Sequence, residues 1–286
     1  MSVDMNRGTS GVVLPQEVSG EILAKVQEAS IIQQAARRVT LPGPGIAFQT
    51  IAGDPTAAWV NETDEKSVSN PSVGTKTLRP YKLAVIETFS NEFRRDKSAL
   101  YEALAGRLPG ALAAKFDATV FHGTAPGSDF DTLDAVAAVD LSTGVYDGAV
   151  KAMTDIANAG YDMNGIILSP AGEALVYGEK DGQERPLFIP NAADGAIGNI
   201  LARPVFKSKA AGSDPVVGFA GDWSQALWGT VEDVQIKISD QASLTVGDSV
   251  INLFQRNMFA VLAEIEVGFI VSDEDAFVKF TDGAGS

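Results

Sequence analysis

Apolar residues recur at helical spacing in one long segment, 97–121, and they follow one face of a helix. Asp96 or Ser98 can cap the start of this helix, and Gly123 can end it. Pro109 lies in its middle, where the missing N–H group removes one backbone hydrogen bond, so we predict a bend there. The apolar positions are Leu100, Ala103, Leu104, Leu108, Ala111, Leu112 and Phe116.

Shorter patterns predict three more helices and a series of strands. Residues 14–30 favour a short amphipathic helix, and residues 146–160 and 170–181 favour two others. The strand candidates are RRVTL, GIAFQTIA, GIILS, RPLFI, NILARPVFKS, PVVGFAGDWSQALWGT, VQIKIS, the nearly continuous apolar run INLFQRNMFAVLAEIEVGFIV, and AFVKFT. This alternation of helices and short strands is typical of an α+β fold.

Residues 54–80 are almost wholly polar apart from Ala57–Val60, which includes Trp59. Because an unstructured loop of this length is uncommon inside a compact domain, we predict a two-stranded excursion that leaves the body and returns. The returning strand is predicted to be YKLAVIETFS, residues 81–90. Residues 1–13 are small and polar and predict a flexible arm.

Composition narrows the function classes. The 286 residues suit one large domain or two modest ones at roughly 150 residues each. A net charge of −15 argues against wrapping nucleic acid and against docking on an anionic membrane. The chain has no cysteine and one histidine, which excludes disulfides, thiolate nucleophiles and His-rich metal sites. No apolar run reaches the roughly 20 residues of a membrane span, so we expect a soluble protein made inside the cell.

Few residues suggest catalysis. The phosphate-binding and nucleophile-elbow motifs are absent, and a Ser–His–Asp triad would need His122, which at a helix end is better explained as a structural or capping residue. Glu264 and Glu266 share a strand face and could form a glycosidase-like pair, but we favour a solvated or interface face. The remaining candidates are read as structural: Asp273–Asp275 as a solvated turn, and Trp59, Trp223 and Trp228 as packing anchors.

A single subunit cannot cover the surface of an arm and a polar excursion. Both therefore indicate an assembly in which neighbouring subunits cover them. In order and spacing, several stretches resemble the major capsid proteins of tailed bacteriophages, the Hong Kong ninety-seven type fold, over residues 14–281. These stretches are LPQEVSGEIL, PTAAWVNE, KLAVIETFSNEFRRD, ILARPVFKS, GDWSQALWG, LFQRNMFAVLAEIEVGF and AFVKF. The resemblance implies a structural subunit rather than an enzyme, with no cofactor and no metal.

The resemblance also implies a division of the chain. Residues 1–45 correspond to an N-terminal arm, and 46–95 to an extended β-hairpin loop with a strand leading into the peripheral domain. Residues 96–123 correspond to the spine helix of that domain, 124–242 to the axial domain, and 243–286 to strands that return to complete the peripheral sheet. Subunit contacts are implied at Trp59, Glu62, Lys66, Arg94, Arg95, Asn257 and Glu264.

The expected partners follow from the family. Copies of the chain would form pentamers and hexamers that close into an icosahedral shell around double-stranded DNA, without sequence-specific binding to it. An acidic inner face suits a container that lets packed DNA slide. Because arm-like sequence begins almost at Met1, we expect a separate scaffolding protein, together with a portal and in some cases a decoration protein. The shell would assemble in the bacterial cytoplasm and remain in the virion capsid.

Some family members join neighbouring subunits by an isopeptide bond between a loop lysine and an asparagine, with a glutamate accepting a proton. The matching positions here are Lys66, Asn257 and Glu264. The Arg-Asn-Met sequence around Asn257 resembles that of coats that do not cross-link, so we expect these residues to be subunit contacts. Two alternatives to the phage coat stay open: an encapsulin shell around a cargo enzyme, and an unrelated α+β carbohydrate-active protein using Glu264 and Glu266.

Overall fold

The computed structural model describes residues 25–26, 29–52, 57–61, 65–66, 68, 72–92, 97–180, 183–185, 198–232, 234–247 and 249–283. These described residues form an α+β protein with two main sheets, two separate two-stranded sheets and four helices with complete bounds.

The longest strand, β14 (Met258–Val271), is the centre of a five-stranded sheet. Strand β4 (Tyr81–Ser90) pairs antiparallel with its first part. Strands β10 (Ala226–Thr230) and β11 (Gln235–Ser239) also pair antiparallel with it, and β1 (Arg37–Thr40) adds parallel to β10. Val267 pairs with residues of both β4 and β10, so these two strands lie on opposite sides of β14. Residues 267–271 are all buried, so both faces of this part of β14 are covered, which suits its run of Val, Ile and Phe.

Helix α2 (Lys97–His122) packs across this sheet, and the helix predicted over 97–121 is confirmed. Its Leu108, Leu112 and Phe116 are buried in the same apolar cluster as Phe259 and Phe269 of β14. The Phe116 and Phe269 rings meet edge to face with centroids 6.4 Å apart. Pro109 lies inside the helix without interrupting it, and the bend there stays a prediction.

A short helix, α1 (Ile31–Ala35), is held against α2 by one buried carboxylate. Asp117 of α2 accepts a hydrogen bond from the Ser30 hydroxyl at 2.6 Å and another from the Ile31 amide at 2.9 Å. Burial raises the pKa of Asp117 to about 6, although these hydrogen bonds pull it the other way. Of the predicted helix over 14–30, four residues are described: Lys25, Val26 and Ala29 are helical, and Ser30 is the N-cap of α1 instead.

The second sheet has six strands in the order β5 (Ala137–Asp140), β15 (Phe277–Thr281), β9 (Val216–Gly221), β6 (Gly165–Leu168), β8 (Arg203–Lys207), β7 (Asn199–Ile200). Helices α3 (Val145–Asn158) and α4 (Pro170–Gly178) contribute to its core, and both predicted helices are confirmed. Ser169 caps α4 by accepting from the Gly172 amide at 3.2 Å, with Pro170 in the first turn.

The predicted domain boundaries do not separate the strands of the two main sheets. Strands β10 and β11 lie within 124–242 but belong to the β14 sheet, whereas β15 lies within 243–286 but belongs to the six-stranded sheet. Only the turn 222–225 separates β9 of one sheet from β10 of the other. Short, fully buried strands carry no local signal of the sheet they join, because partners distant in sequence decide it. The assignment of peripheral and axial domains to these sheets stays a prediction.

The polar excursion is a β-hairpin, but its second strand differs from the predicted one. Strand β2 (Ile46–Ala52) pairs antiparallel with β3 (Ser72–Leu78), whose sequence SVGTKTL lies in the segment read as polar loop. The predicted returning strand, 81–90, is instead β4 of the main sheet. Strand β3 lacks apolar alternation, because β2 is its only strand partner in the described structure and only Leu78 at its end is buried, in a cluster with Leu227 and Ile270. We call β2, β3 and the residues between them the extended hairpin.

Candidate subunit interface

The far end of the extended hairpin displays apolar side chains. Trp59 is fully exposed, Val68 is 83% exposed and Val60 is 41% exposed. The prediction that Trp59 is a packing anchor is therefore wrong for the single chain, because nothing in the described part of the chain covers its side chain. An exposed tryptophan at such a place indicates a contact that the chain does not make with itself.

The other two tryptophans are packing anchors, as predicted. Trp223 and Trp228 are both almost fully buried. Each indole N–H group has a backbone partner: Trp223 donates to the Gly165 carbonyl at 3.2 Å, and Trp228 to the Ala36 carbonyl at 3.3 Å. Their buried polar atoms are thus satisfied inside the chain, in contrast to the open position of Trp59.

Asn257 lies in a turn just before β14 and has a left-handed backbone with φ of 53°. Its backbone carbonyl accepts from the Asn91 amide at 2.9 Å, and its side-chain oxygen accepts from the Asn91 side-chain amide, also at 2.9 Å. Asparagine tolerates this conformation better than most residues. The turn thus presents an exposed but well-fixed side chain.

Glu264 lies far from that turn. It is six residues beyond Met258, which at about 3.3 Å per residue places it roughly 20 Å along β14. Asn257 and Glu264 of one subunit therefore cannot meet in one cross-link, and a bond that uses both would need different subunits. Lys66 lies in the extended hairpin and is exposed. Glu62, Arg94 and Arg95, also predicted as contacts, lie outside the described residues.

Glu264 and Glu266 line a shallow cavity of about 150 Å³ on the outer face of the β14 sheet. Each has a lysine partner: Lys237 Nζ is 2.9 Å from Glu264, and Lys82 Nζ is 3.5 Å from Glu266. The hydrogen bond from Lys237 lowers the pKa of Glu264 below its usual range. A glycosidase acid needs a raised pKa, so this arrangement disfavours the carbohydrate-active hypothesis.

His122 ends α2 among aromatic and backbone partners. Its Nε2 is 3.2 Å from the Ala211 carbonyl oxygen, and its ring centroid is 5.3 Å from that of Phe219. Its Nδ1 lies 3.9 Å from Asp134. These contacts join the end of α2 to the 3-10 turn Lys209–Ala211, which favours the structural interpretation over catalysis.

The sequence interpretation missed Phe254. The apolar run from Ile251 is not one strand: β13 (Ser249–Asn252), which pairs with β12 (Ser243–Val246), is followed by a turn, and β14 begins at Met258. In that turn Phe254 is 77% exposed, and Val250 of β13 is 69% exposed. The polar triplet Gln-Arg-Asn after Phe254 was the signal that could have marked the turn.

No helix in the described part of the chain is long and apolar enough to cross a membrane. Across the same residues, no group of three or more acidic or histidine side chains is arranged to hold a metal ion.

Comparison of the sequence with other proteins identifies its family. Residues 10–282 match the model of the phage capsid family. A probable major capsid protein of Mycobacterium phage L5 is 33% identical over 94% of this chain and 89% of that protein. The major capsid protein of Staphylococcus phage 80alpha is 23% identical over 97% of this chain and 87% of its own length.

Solved structures share the fold at lower identity. A chain from Mycobacterium phage Cain has a TM-score of 0.74 and 20% identity, covering 90% of this chain and 92% of that one. A chain of the capsid of an empty GTA particle has a TM-score of 0.66 and 17% identity, covering 90% of this chain and 97% of that one.

Proposed function

The chain belongs to the phage capsid family, and we propose that it acts as the major capsid protein of a tailed bacteriophage. Copies of the subunit would form pentamers and hexamers, and these would close into an icosahedral shell around double-stranded DNA. The match covers nearly the whole sequence, and the relative from Mycobacterium phage L5 carries a name of the same kind.

The observation that carries the proposal is the extended hairpin. Its two seven-residue strands pair with each other, and the described residues beyond them include a fully exposed Trp59. An isolated hairpin is marginally stable in water, so a long one needs a surface to lie on. In a shell every subunit has identical neighbours, which supply such a surface at every position.

The net negative charge supports a shell that does not bind the DNA it encloses. Lys and Arg total 22 against 37 Asp and Glu, which leaves few cations to neutralise phosphates. We expect free subunits to bind duplex DNA weakly or not at all at physiological salt. A titration that finds micromolar binding persisting at that salt would contradict this expectation.

The cross-linking hypothesis keeps Lys66, Asn257 and Glu264 as its residues, and we expect it to fail. The carboxylate that would accept the proton already accepts a hydrogen bond from Lys237, and its lowered pKa makes it a weak base. Denaturing electrophoresis of mature particles checks this. We expect one monomer band, and a ladder of covalent multimers that disappears in the Lys66→Arg variant would establish the cross-link.

Other partners follow from the same proposal. A separate scaffolding protein and a portal would take part in assembly in the host cytoplasm, and a decoration protein could bind the finished shell in the virion.

Electron microscopy of the purified full chain tests the proposed function. Five-fold and six-fold capsomers, and shells roughly 50 nm or more across that enclose DNA, support it. Smaller shells around a protein cargo would indicate an encapsulin instead. A chain that stays monomeric at all concentrations would contradict both.

A further inference from the structure

One carboxylate joins the extended hairpin to the body of the subunit. Lys76 of β3 places its Nζ atom 3.1 Å from Asp131 Oδ2 and donates to the Val271 carbonyl at 2.8 Å. Asp131 is itself fixed to β14, because the same Oδ2 accepts from the Val271 amide at 3.0 Å and the Asp131 amide donates to the Phe269 carbonyl at 3.1 Å. Lys76 therefore connects the hairpin to an acceptor that cannot shift independently of β14.

A second set of contacts lies at the same end of the hairpin. Arg79, just after β3, has its Nη1 atom 3.4 Å from Asp129 Oδ2. The Asp129 amide also donates to the Tyr81 hydroxyl at 3.3 Å. Asp129 and Asp131 both belong to the segment that follows α2, so this one segment faces the hairpin base with two acids opposite two cations.

The backbone segments at the base of the extended hairpin lie in close contact. Gly45, with φ of +89°, lies so close to the Leu78 carbonyl that an added Cβ would be 2.5 Å from its oxygen. On β14, a Cβ added to Gly268 would be 2.4 Å from the Arg79 carbonyl oxygen. Two glycines thus let three backbone segments approach closely where the hairpin leaves the body.

We propose that Lys76 and Asp131 are positioning residues that set the direction of the extended hairpin and thereby the angle between neighbouring subunits. This inference rests on the proposed shell function. Since β2 and β3 join no other strand of the described structure, their direction depends on contacts at the base. Leu78 anchors the base by packing with Leu227 and Ile270, and the Lys76–Asp131 pair adds directional hydrogen bonds to this anchor. Strand β3 alone spans roughly 20 Å, so a rotation of about 10° at the base moves its far end by about 3 Å.

A displacement of that size matters because protein interfaces are packed as densely as protein interiors. The Lys76–Asp131 pair is partly exposed, at 34% and 24% of the two side chains, so it adds little to folding stability. Its hydrogen bonds are directional, however: Asp131 Oδ2 accepts from Lys76 Nζ and from the Val271 amide, and Lys76 also donates to the Val271 carbonyl. Loss of the pair should therefore change shell geometry more than subunit folding.

The test compares four variants of the full chain with the wild type. Lys76→Met removes the charge but keeps the length of the side chain, and Asp131→Asn keeps an oxygen for the Val271 amide. Lys151→Met is the matched control, since it removes an exposed lysine–aspartate pair, with Asp155, within helix α3. The measurements are the melting temperature of capsomers and the diameter distribution of shells by electron microscopy.

We expect Lys76→Met and Asp131→Asn to leave the melting temperature unchanged while the fraction of shells at the wild-type diameter falls at least fivefold. Lys76→Arg should recover most of that fraction, because it retains the charge and the donor. The inference is overturned if both variants give wild-type shells, or if Lys151→Met causes the same loss. Absence of shells from the wild type would count against the proposed function itself, so the two failures are distinguishable.

Discussion

Strand β14 and the extended hairpin are built from strands of the same chain but are stabilised in different ways. Strand β14 has strand partners on both sides, and its Phe259, Phe269 and Val271 are fully buried. The hairpin strands pair with each other and lead to exposed residues, of which Trp59 is the most prominent. The first region is stable within one subunit, whereas the far end of the second needs contacts that only other subunits provide.

The largest expected effect on subunit stability is in the β14 core. Phe269→Ala removes a fully buried ring that packs against Phe116 and Phe130, so we expect a loss of about 3–5 kcal/mol in the free energy of unfolding. Urea unfolding of the free subunit measures it. A loss below about 1 kcal/mol would mean that the core is not the source of stability.

An intermediate effect is expected at Asp117, which joins α1 to α2. Its pKa of about 6 lies above the unfolded value, so the folded chain binds the extra proton between about pH 4 and 6. The stabilisation is thus present below about pH 4 and is lost as the pH rises through 6. The roughly two-unit shift corresponds to at most about 3 kcal/mol.

Urea unfolding of the wild type and Asp117→Asn at pH 4, 5, 6 and 7 checks the sign. The wild type should gain stability relative to the variant as the pH falls. Asp140→Asn is the control, because hydrogen bonds from Ser142 lower the pKa of Asp140, so its linked stability changes only at lower pH and its curve should run parallel to the wild-type curve above about pH 5. Parallel curves for the wild type and Asp117→Asn would show that Asp117 carries no linked proton.

Among these three positions, substitution of Trp59 is expected to have the smallest effect on subunit stability and the largest effect on shell assembly. Because its side chain is fully exposed, Trp59→Ser should change the free energy of unfolding by less than about 0.5 kcal/mol. The yield of closed shells should fall several-fold, since the variant loses an aromatic contact. Trp59→Phe is the conservative control and should retain most shells. Equal shell yields for Trp59→Ser and the wild type would remove Trp59 from the interface.

Periodic patterns predicted much of the fold. The spacing of Leu108, Leu112 and Phe116 located α2, and apolar runs located β6, β9, β14 and β15. Strand β3 was missed because SVGTKTL has only two apolar residues, of which Leu78 at its end is buried, and so carries no apolar alternation. The sequence patterns also did not predict which sheet each short strand joins, because the strand partners of β10 and β15 are distant from them in sequence.

The interface was predictable only in part. Asn257 and Glu264 were identified through a family resemblance, yet their separation along β14 follows from strand geometry alone. The Lys76–Asp131 pair joins residues 55 positions apart and has no sequence signature, because a lysine in a polar segment looks the same whether it is solvated or paired. Trp59 was noticed, but its exposure depends on where the hairpin points.

The most direct test of the difference between β14 and the extended hairpin is a reconstruction of the assembled shell by electron cryomicroscopy, at a resolution that shows side chains. The account predicts that Trp59 is covered by a neighbouring subunit and that the extended hairpin lies on that neighbour along most of its length. A shell in which Trp59 remains open to solvent and the hairpin contacts only its own chain would contradict it.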